Sequence, residues 1–179
     1  MQINGDSLSN LINLKELCFN ACVNLVEIPR DIGKLSKLKT LTLNGCNNLV
    51  EIPSASMLME IQGLGKLELL IRLDILHCGS LKRLLDLSNL KKLQKLDICY
   101  CKKLIEIQGF GKLELLTSLN ISWCESLKRS PDVSNLGMLK ELKLRKCQKF
   151  TKVEGIGGLK SLARLNVSWC TSLQLICQT

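Results

Sequence analysis

The sequence predicts an α/β solenoid, an array of short stacked coils, and three observations support this prediction. Leucine supplies 39 of the 179 residues, whereas aromatic residues supply only 3%. The leucines recur at fixed intervals along the whole chain. The centre of each interval alternates between apolar and other residues, as a short β-strand does. Together these observations indicate one repeated packing environment within a single domain.

The repeat unit reads L-x-x-L-x-x-L-x-L-x-x-C-x-x-L. Successive units begin at Leu11, Leu35, Leu67, Leu90, Leu113, Leu136 and Leu159. From residue 67 onward each interval is 23 residues long, which lies within the roughly 20–29 residues of leucine-rich repeats. A single coil cannot bury its own apolar side, but stacked coils share a continuous core. The pattern therefore predicts a leucine-rich-repeat horseshoe with a parallel concave β-sheet and short helical or irregular convex segments.

The L-x-L centre of each unit predicts one short parallel strand per coil. The expected strands span 16–20, 40–44, 72–76, 95–99, 118–122, 141–145 and 164–168. Residues 1–179 form a single array in this interpretation. Its parts are a partial repeat at 1–10, repeats at 11–34, 35–66, 67–89, 90–112, 113–135 and 136–158, and an incomplete repeat at 159–179.

The repeat at 35–66 is longer than its neighbours and predicts a surface loop at 53–57. This insertion is either a scar of recombination between repeats or a binding loop, since long loops often carry function. Neither end of the chain has the polar cap that repeat arrays normally need. We therefore expect a fragment of a longer array, or the product of a truncated gene.

Seven of the ten cysteines occupy one position of the unit, directly after the predicted strand. These repeat cysteines are Cys22, Cys46, Cys78, Cys101, Cys124, Cys147 and Cys170. Residues 1–10 contain no apolar signal-peptide segment, so we expect packed, reduced thiols and a cytoplasmic or nuclear location. His77 is the only histidine and the cysteines do not form two C-x-x-C pairs, which disfavours zinc. No metal and no cofactor are expected.

The chain lacks the residue sets that catalysis needs. Gly33-Lys34, Gly65-Lys66 and Gly111-Lys112 are each followed by leucine, whereas a phosphate-binding loop needs serine or threonine there to hold Mg²⁺. One histidine cannot supply a credible Ser/His/Asp set, and no carboxylate pair stands apart from the surface charges. The sequence therefore predicts a non-enzyme without a small-molecule substrate.

The residues directly before the repeat cysteines form what we call the pre-cysteine stripe: Ala21, Gly45, His77, Tyr100, Trp123, Lys146 and Trp169. Both tryptophans and the only tyrosine lie in it, and aromatic side chains are enriched at protein interfaces. The alternative is that these rings only cover the edge of the core. The predicted partner-binding surface combines part of this stripe with outward-facing strand residues, and consists of Asp74, His77, Asp97, Tyr100, Asn120, Trp123, Arg145, Lys146 and Trp169.

A net charge of +9 supports a rival interpretation. Basic pairs recur at Lys82-Arg83, Lys91-Lys92, Lys102-Lys103 and Lys128-Arg129, and such pairs can contact nucleic acid or an anionic surface. They fall on turns and the convex side, outside the predicted concave strands. A solvated face that keeps a leucine-rich solenoid soluble explains them more simply. A third class, the substrate-binding array of a ubiquitin ligase, normally has longer repeats.

The extended unit, with Ile-Pro after the last leucine, resembles the repeats of plant cytosolic TIR-type nucleotide-binding leucine-rich-repeat disease resistance proteins. Leu11–Pro29 and Leu35–Pro53 contain it in full, whereas later units keep the cysteine and lose Ile-Pro. The resemblance covers the repeat region only. It implies recognition of a pathogen effector, together with restraint of the receptor's own nucleotide-binding domain.

Overall fold

The computed structural model describes residues 8–52, 64–84 and 87–174. Within these residues, seven strands form one parallel sheet and follow one another in it in chain order. The strands are β1 Glu16–Cys18, β2 Thr40–Thr42, β4 Arg72–Leu76, β6 Lys95–Cys99, β8 Ser118–Asn120, β9 Glu141–Lys143 and β10 Arg164–Asn166. Each coil contributes one of them. The predicted solenoid with a parallel sheet is confirmed.

All seven strands begin at the predicted residue, and β4 and β6 also end where predicted. The other five end two residues earlier. Regular pairing stops there, but the backbone ladder continues for one further turn. The Phe19 amide donates to the Thr42 carbonyl at 2.8 Å, and the Ala21 amide donates to the Asn44 carbonyl at 2.7 Å. The predicted spans therefore include the turn that follows each short strand.

The core consists of rows of equivalent apolar side chains, one from each coil. Leu41, Leu73, Leu96, Leu119 and Leu142 lie in register on neighbouring strands and are buried. The L-x-x-L segments close tight turns, as in the hydrogen bonds of 2.9 Å from the Leu38 amide to the Leu35 carbonyl and from the Leu70 amide to the Leu67 carbonyl. Helical structure is limited to 3₁₀ turns at Arg30–Lys34, Leu64–Lys66, Phe110–Lys112 and Ile156–Gly158 among the described residues.

A second, smaller sheet lies after the repeat cysteines, which the L-x-L pattern does not predict. It contains β3 Glu51–Ile52, β5 Arg83–Leu84 and β7 Glu106–Ile107, all parallel. The predicted loop at 53–57 lies outside the described residues. None of the helices in the described part of the chain has the length and apolar character needed to span a lipid bilayer.

Candidate partner-binding surface

The repeat cysteines tie each coil to the one before it. A thiol donates to the carbonyl oxygen of the second apolar strand position in the preceding coil. The pairs are Cys46 to Phe19 (2.9 Å), Cys78 to Leu43 (2.8 Å), Cys101 to Ile75 (3.4 Å), Cys124 to Ile98 (3.3 Å), Cys147 to Ile121 (2.9 Å) and Cys170 to Leu144 (2.8 Å). The middle five of the seven repeat cysteines, from Cys46 to Cys147, are fully buried. The predicted line of packed thiols is present.

Burial makes Cys46, Cys124 and Cys147 hard to ionise, because a thiolate loses its hydration in the core. Burial raises the pKa of Cys46 to about 11 and that of Cys147 to about 12. The pKa of Cys124 is raised by burial as well. At neutral pH these side chains therefore act as small apolar groups with one weak donor.

We expect the buried repeat cysteines to resist alkylation in the native protein, because reagent access is low and the thiolate fraction of Cys101 and Cys124 is low as well. Cys18 is exposed and is not one of the repeat cysteines, so it provides an internal control. Mass spectrometry after brief iodoacetamide treatment should show rapid modification of Cys18 and slow modification of Cys101 and Cys124. Equal rates at all three sites would contradict the packing described here.

Replacing Cys101 by serine should lower the free energy of unfolding by about 1–2 kcal/mol, since a more polar group enters a tight site. Cys18→Ser is the matched control and should change it by less than about 0.5 kcal/mol. Urea denaturation followed by circular dichroism measures both. A Cys101→Ser midpoint equal to that of Cys18→Ser would contradict this expectation.

Every residue of the pre-cysteine stripe adopts a left-handed backbone conformation. Its φ values run from 53° at Ala21 to 71° at Gly45, with His77 and Tyr100 at 58° and Trp123 at 63°. This conformation is uncommon for residues other than glycine. It is held by the ladder, because the Tyr100 amide donates to the Ser122 carbonyl at 3.0 Å and the Trp123 amide donates to the Arg145 carbonyl at 2.7 Å. The repeated turn leads each following cysteine into the core.

Consecutive side chains of the stripe stack on one another. The rings of His77 and Tyr100 lie 4.4 Å apart between centroids with 9° between their planes. Tyr100 and Trp123 lie 5.1 Å apart with 14° between planes. Lys146 completes the row, since its Nζ lies 4.3 Å from the Trp123 ring centroid, a cation–π contact. Most ring faces therefore contact a neighbouring side chain within the stack, and the ring edges form the outer surface of the stack.

The structure thus brings His77, Tyr100, Trp123 and Lys146 together, but it does not bring Trp169 into the stack. Trp169 lies in the last described coil and is 71% exposed. Among the described residues it makes no ring contact. A large exposed indole next in the same row is consistent with the predicted surface extending to this coil.

Polar side chains flank the stack on the outer face of the sheet. Asn120 donates from Nδ2 to Asp97 Oδ2 at 3.3 Å, and Ser122 Oγ donates to Asn120 Oδ1 at 2.6 Å. The Arg145 amide in turn donates to Ser122 Oγ at 3.3 Å. Asp97 Oδ1 is buried and has no hydrogen-bond partner within the described residues, so one acceptor of this network stays unused.

Asp74 differs from the other predicted site residues because it is buried. Arg72 Nε lies 2.8 Å from Asp74 Oδ2, so the carboxylate is already neutralised within its own strand. Asp74 therefore affects the outer face of the sheet indirectly, by holding the Arg72 side chain in position. The exposed member of this pair is the arginine.

Sequence reasoning missed a charged cluster around Glu141. Its Oε1 lies 3.0 Å from both Lys143 Nζ and Arg164 Nε, and its Oε2 accepts from Ser118 Oγ at 3.2 Å. Hydrogen bonding to Lys143 is the main cause that lowers the pKa of Glu141. An open groove of about 350 Å³ joins this cluster to Arg72 and Asp97. The signal was available as the opposite charges of Glu141 and Arg164, which occupy equivalent strand positions in neighbouring repeats.

The basic pairs lie away from the seven-stranded sheet, as predicted. All eight side chains are exposed: Lys82, Arg83, Lys91, Lys92, Lys102, Lys103, Lys128 and Arg129. Only Arg83 belongs to a strand, and that strand is in the smaller sheet. The stacked stripe and the basic pairs are therefore separate surfaces.

Comparison with known proteins reveals similarity of fold. No protein-family model and no curated protein sequence matches the chain. The leucine-rich-repeat domain of the type III effector XopL is similar, with a TM-score of 0.52 and 20% identity over 93% of this chain and 72% of that one. The fold is a leucine-rich-repeat solenoid.

Two further leucine-rich-repeat proteins are more distant in shape. An internalin from Listeria monocytogenes has a TM-score of 0.44 and 18% identity over 97% of this chain and 69% of that one. A plant peptide hormone receptor in complex with RGF2 has a TM-score of 0.33 and 19% identity over 90% of this chain and 41% of that one.

Proposed function

We propose that this leucine-rich-repeat array is a non-catalytic protein-interaction module, and specifically the recognition and autoinhibitory repeat region of a plant cytosolic TIR-type immune receptor or a truncated form of one. Its partner is a pathogen effector or the nucleotide-binding domain of the same receptor. The extended repeat unit of Leu11–Pro29 and Leu35–Pro53 supports the family assignment.

The stack of His77, Tyr100, Trp123 and Lys146 carries the proposal of protein binding. Its members are fixed by mutual contact and by a repeated backbone turn, so they lose little freedom when a partner docks. Preorganised side chains of this kind improve affinity because less ordering is needed. Aromatic residues are also the side chains most often found at binding hot spots.

The shape of the surface favours a protein over a small molecule. The neighbouring groove of about 350 Å³ is open and is lined mainly by charged and polar side chains, including Arg72, Lys95 and Glu141. Small-molecule sites are usually enclosed and largely apolar. A flat row of ring edges with charged residues beside it matches the apolar centre and polar rim of a protein interface.

A binding experiment separates this proposal from its electrostatic rival. The immobilised chain is titrated with purified TIR-type nucleotide-binding domains and plant-pathogen effectors, and in parallel with duplex DNA, RNA and anionic vesicles. We expect saturable binding to a protein that persists as salt is raised from 50 to 200 mM. Binding only to nucleic acid or vesicles, with steep loss over the same salt range, would contradict the proposal.

A further inference from the structure

The backbone ladder that runs through the smaller sheet is interrupted at two successive junctions between coils. In the coils before the interruption, the Lys82 amide donates to the Val50 carbonyl and the Ile105 amide donates to the Lys82 carbonyl, each at 2.9 Å. The equivalent bonds from the Lys128 amide to the Ile105 carbonyl and from the Thr151 amide to the Lys128 carbonyl are both absent within the described residues. The ladder resumes further on, where the Gln174 amide donates to the Thr151 carbonyl at 2.8 Å.

Pro131 supplies a chemical reason for the first of these interruptions. In the preceding coil, the Gln108 amide donates to the Leu84 carbonyl at 3.1 Å. The residue equivalent to Gln108, 23 positions later, is Pro131, which has no N–H to donate. The Ile107 carbonyl consequently lacks the donor that the Leu84 carbonyl has, and β7 becomes an open edge of the smaller sheet.

A cleft of about 610 Å³ lies at this edge, within the range of known ligand sites. Its apolar lining includes Ile105, Ile107, Leu127 and Pro131, and its charged and polar lining consists of Arg83, Glu106, Lys128, Arg129, Ser130 and Asp132. Phe110 also lines the cleft and is nearly fully buried. The cleft therefore combines several apolar side chains with an open strand edge, the two features used when an extended peptide adds to a sheet.

Some charged side chains around the cleft have an ion-pair partner, and others do not. Glu106 lies 4.0 Å from Arg83 and also accepts from Gln108 at 2.6 Å. Lys128 and Arg129 are exposed and have no ion-pair partner among the described residues. Asp132 also lines the cleft, so its lining carries three cations, Arg83, Lys128 and Arg129, and two carboxylates, a net charge of +1. The two cations without an ion-pair partner favour an occupant with negative side chains.

We propose that this cleft binds an extended peptide segment of a protein partner, which pairs with the open edge of β7 and directs acidic side chains toward Lys128 and Arg129. The site is separate from the pre-cysteine stripe and does not depend on the function proposed for that stripe. It makes the array a module with two contact surfaces.

Fluorescence anisotropy with a labelled, end-blocked pentapeptide of alternating valine and glutamate tests the proposal. We expect saturable binding that is lost when the backbone amides of the peptide are N-methylated, because the edge carbonyls then have no donors. A valine–lysine peptide of the same length should bind at least about tenfold more weakly, a difference of about 1.4 kcal/mol. Equal binding of the N-methylated peptide, or displacement by millimolar inorganic phosphate, would overturn the proposal.

Two variants test the site itself. Pro131→Leu restores the amide, using the residue found at the equivalent position 85, and should close the ladder and abolish peptide binding. Arg129→Glu should weaken the glutamate peptide at least about tenfold and strengthen the lysine peptide. Lys103→Glu is the matched control, because it makes the same charge change outside the cleft, and should leave both affinities within about twofold. Equal loss with Lys103→Glu, or an unchanged preference with Arg129→Glu, would overturn the proposal even if Pro131→Leu fails to fold.

Discussion

Trp123→Ala is expected to weaken binding to a verified protein partner by more than about 2 kcal/mol, or roughly thirtyfold in Kd. Trp123 stands between Tyr100 and Lys146 in the stack, near the centre of the predicted surface, where hot spots usually lie. Its removal eliminates the largest ring and leaves Tyr100 and Lys146 without their common neighbour. Isothermal titration calorimetry with the purified partner measures the change.

The fold should tolerate this substitution. Alanine already occupies the equivalent position of the first coil, where Ala21 adopts φ of 53°, so the left-handed turn does not require a large side chain. The circular dichroism spectrum of Trp123→Ala should therefore equal that of the wild type. If affinity survives Trp123→Ala and instead falls when Lys102 and Lys103 are neutralised, the stripe is not the contact surface.

The stability of the solenoid should fall steeply as the pH rises from 8 to 10. Burial raises the pKa of Cys46 to about 11 and that of Cys147 to about 12, both from 9.0. The unfolded chain ionises these thiols first, so their stabilising effect is complete below pH 9 and disappears as the pH approaches the folded-state pKa values. At pH 10, each of these two thiols should therefore lower the free energy of unfolding by about 1.4 kcal/mol relative to neutral pH.

Cys46→Ala and Cys147→Ala provide the controls for this pH dependence. Each variant removes one ionisable thiol, so its stability should decline less steeply with pH than that of the wild type. Denaturant midpoints at pH 7, 8, 9 and 10 measure the slopes. Parallel profiles for wild type and variants would show that the buried thiols do not control alkaline stability.

The regular features of the fold could be predicted because they repeat. The L-x-L centres gave the start of every strand in the main sheet, and the fixed position of the cysteine indicated a buried line of thiols. The reason is physical: a coil that buries the same side chains as its neighbours must adopt the same backbone. Periodicity therefore carries information about packing.

Features that depend on backbone conformation were harder to predict from the sequence. The left-handed turn at the stripe is occupied by His77, Tyr100 and Trp123, residue types that do not indicate such a conformation. Gly45 was the only residue of the row with a known preference for it. The stacking of the rings follows from this turn together with the spacing of the coils, so sequence reasoning placed the residues in one row without their contacts.

Single departures from the repeat were also hard to interpret. Pro131 is a single replacement relative to the equivalent residues of the preceding repeats. It nevertheless removes a backbone donor and opens the edge of β7. Trp169 occupies the same row as the stacked residues, but Lys146 separates it from Trp123. Both cases depend on what a neighbouring coil supplies, and a pattern averaged over repeats does not contain that information.

Footprinting of the chain with and without a bound protein partner tests most directly whether the stacked stripe is the contact surface. Hydroxyl radicals oxidise exposed His, Tyr and Trp side chains, and a lysine-acylating reagent reports on the basic pairs in the same sample. We predict that partner binding protects Tyr100, Trp123 and Trp169 from oxidation and leaves acylation of Lys102 and Lys103 unchanged. Protection of the lysines with undiminished oxidation of Trp123 would contradict the account.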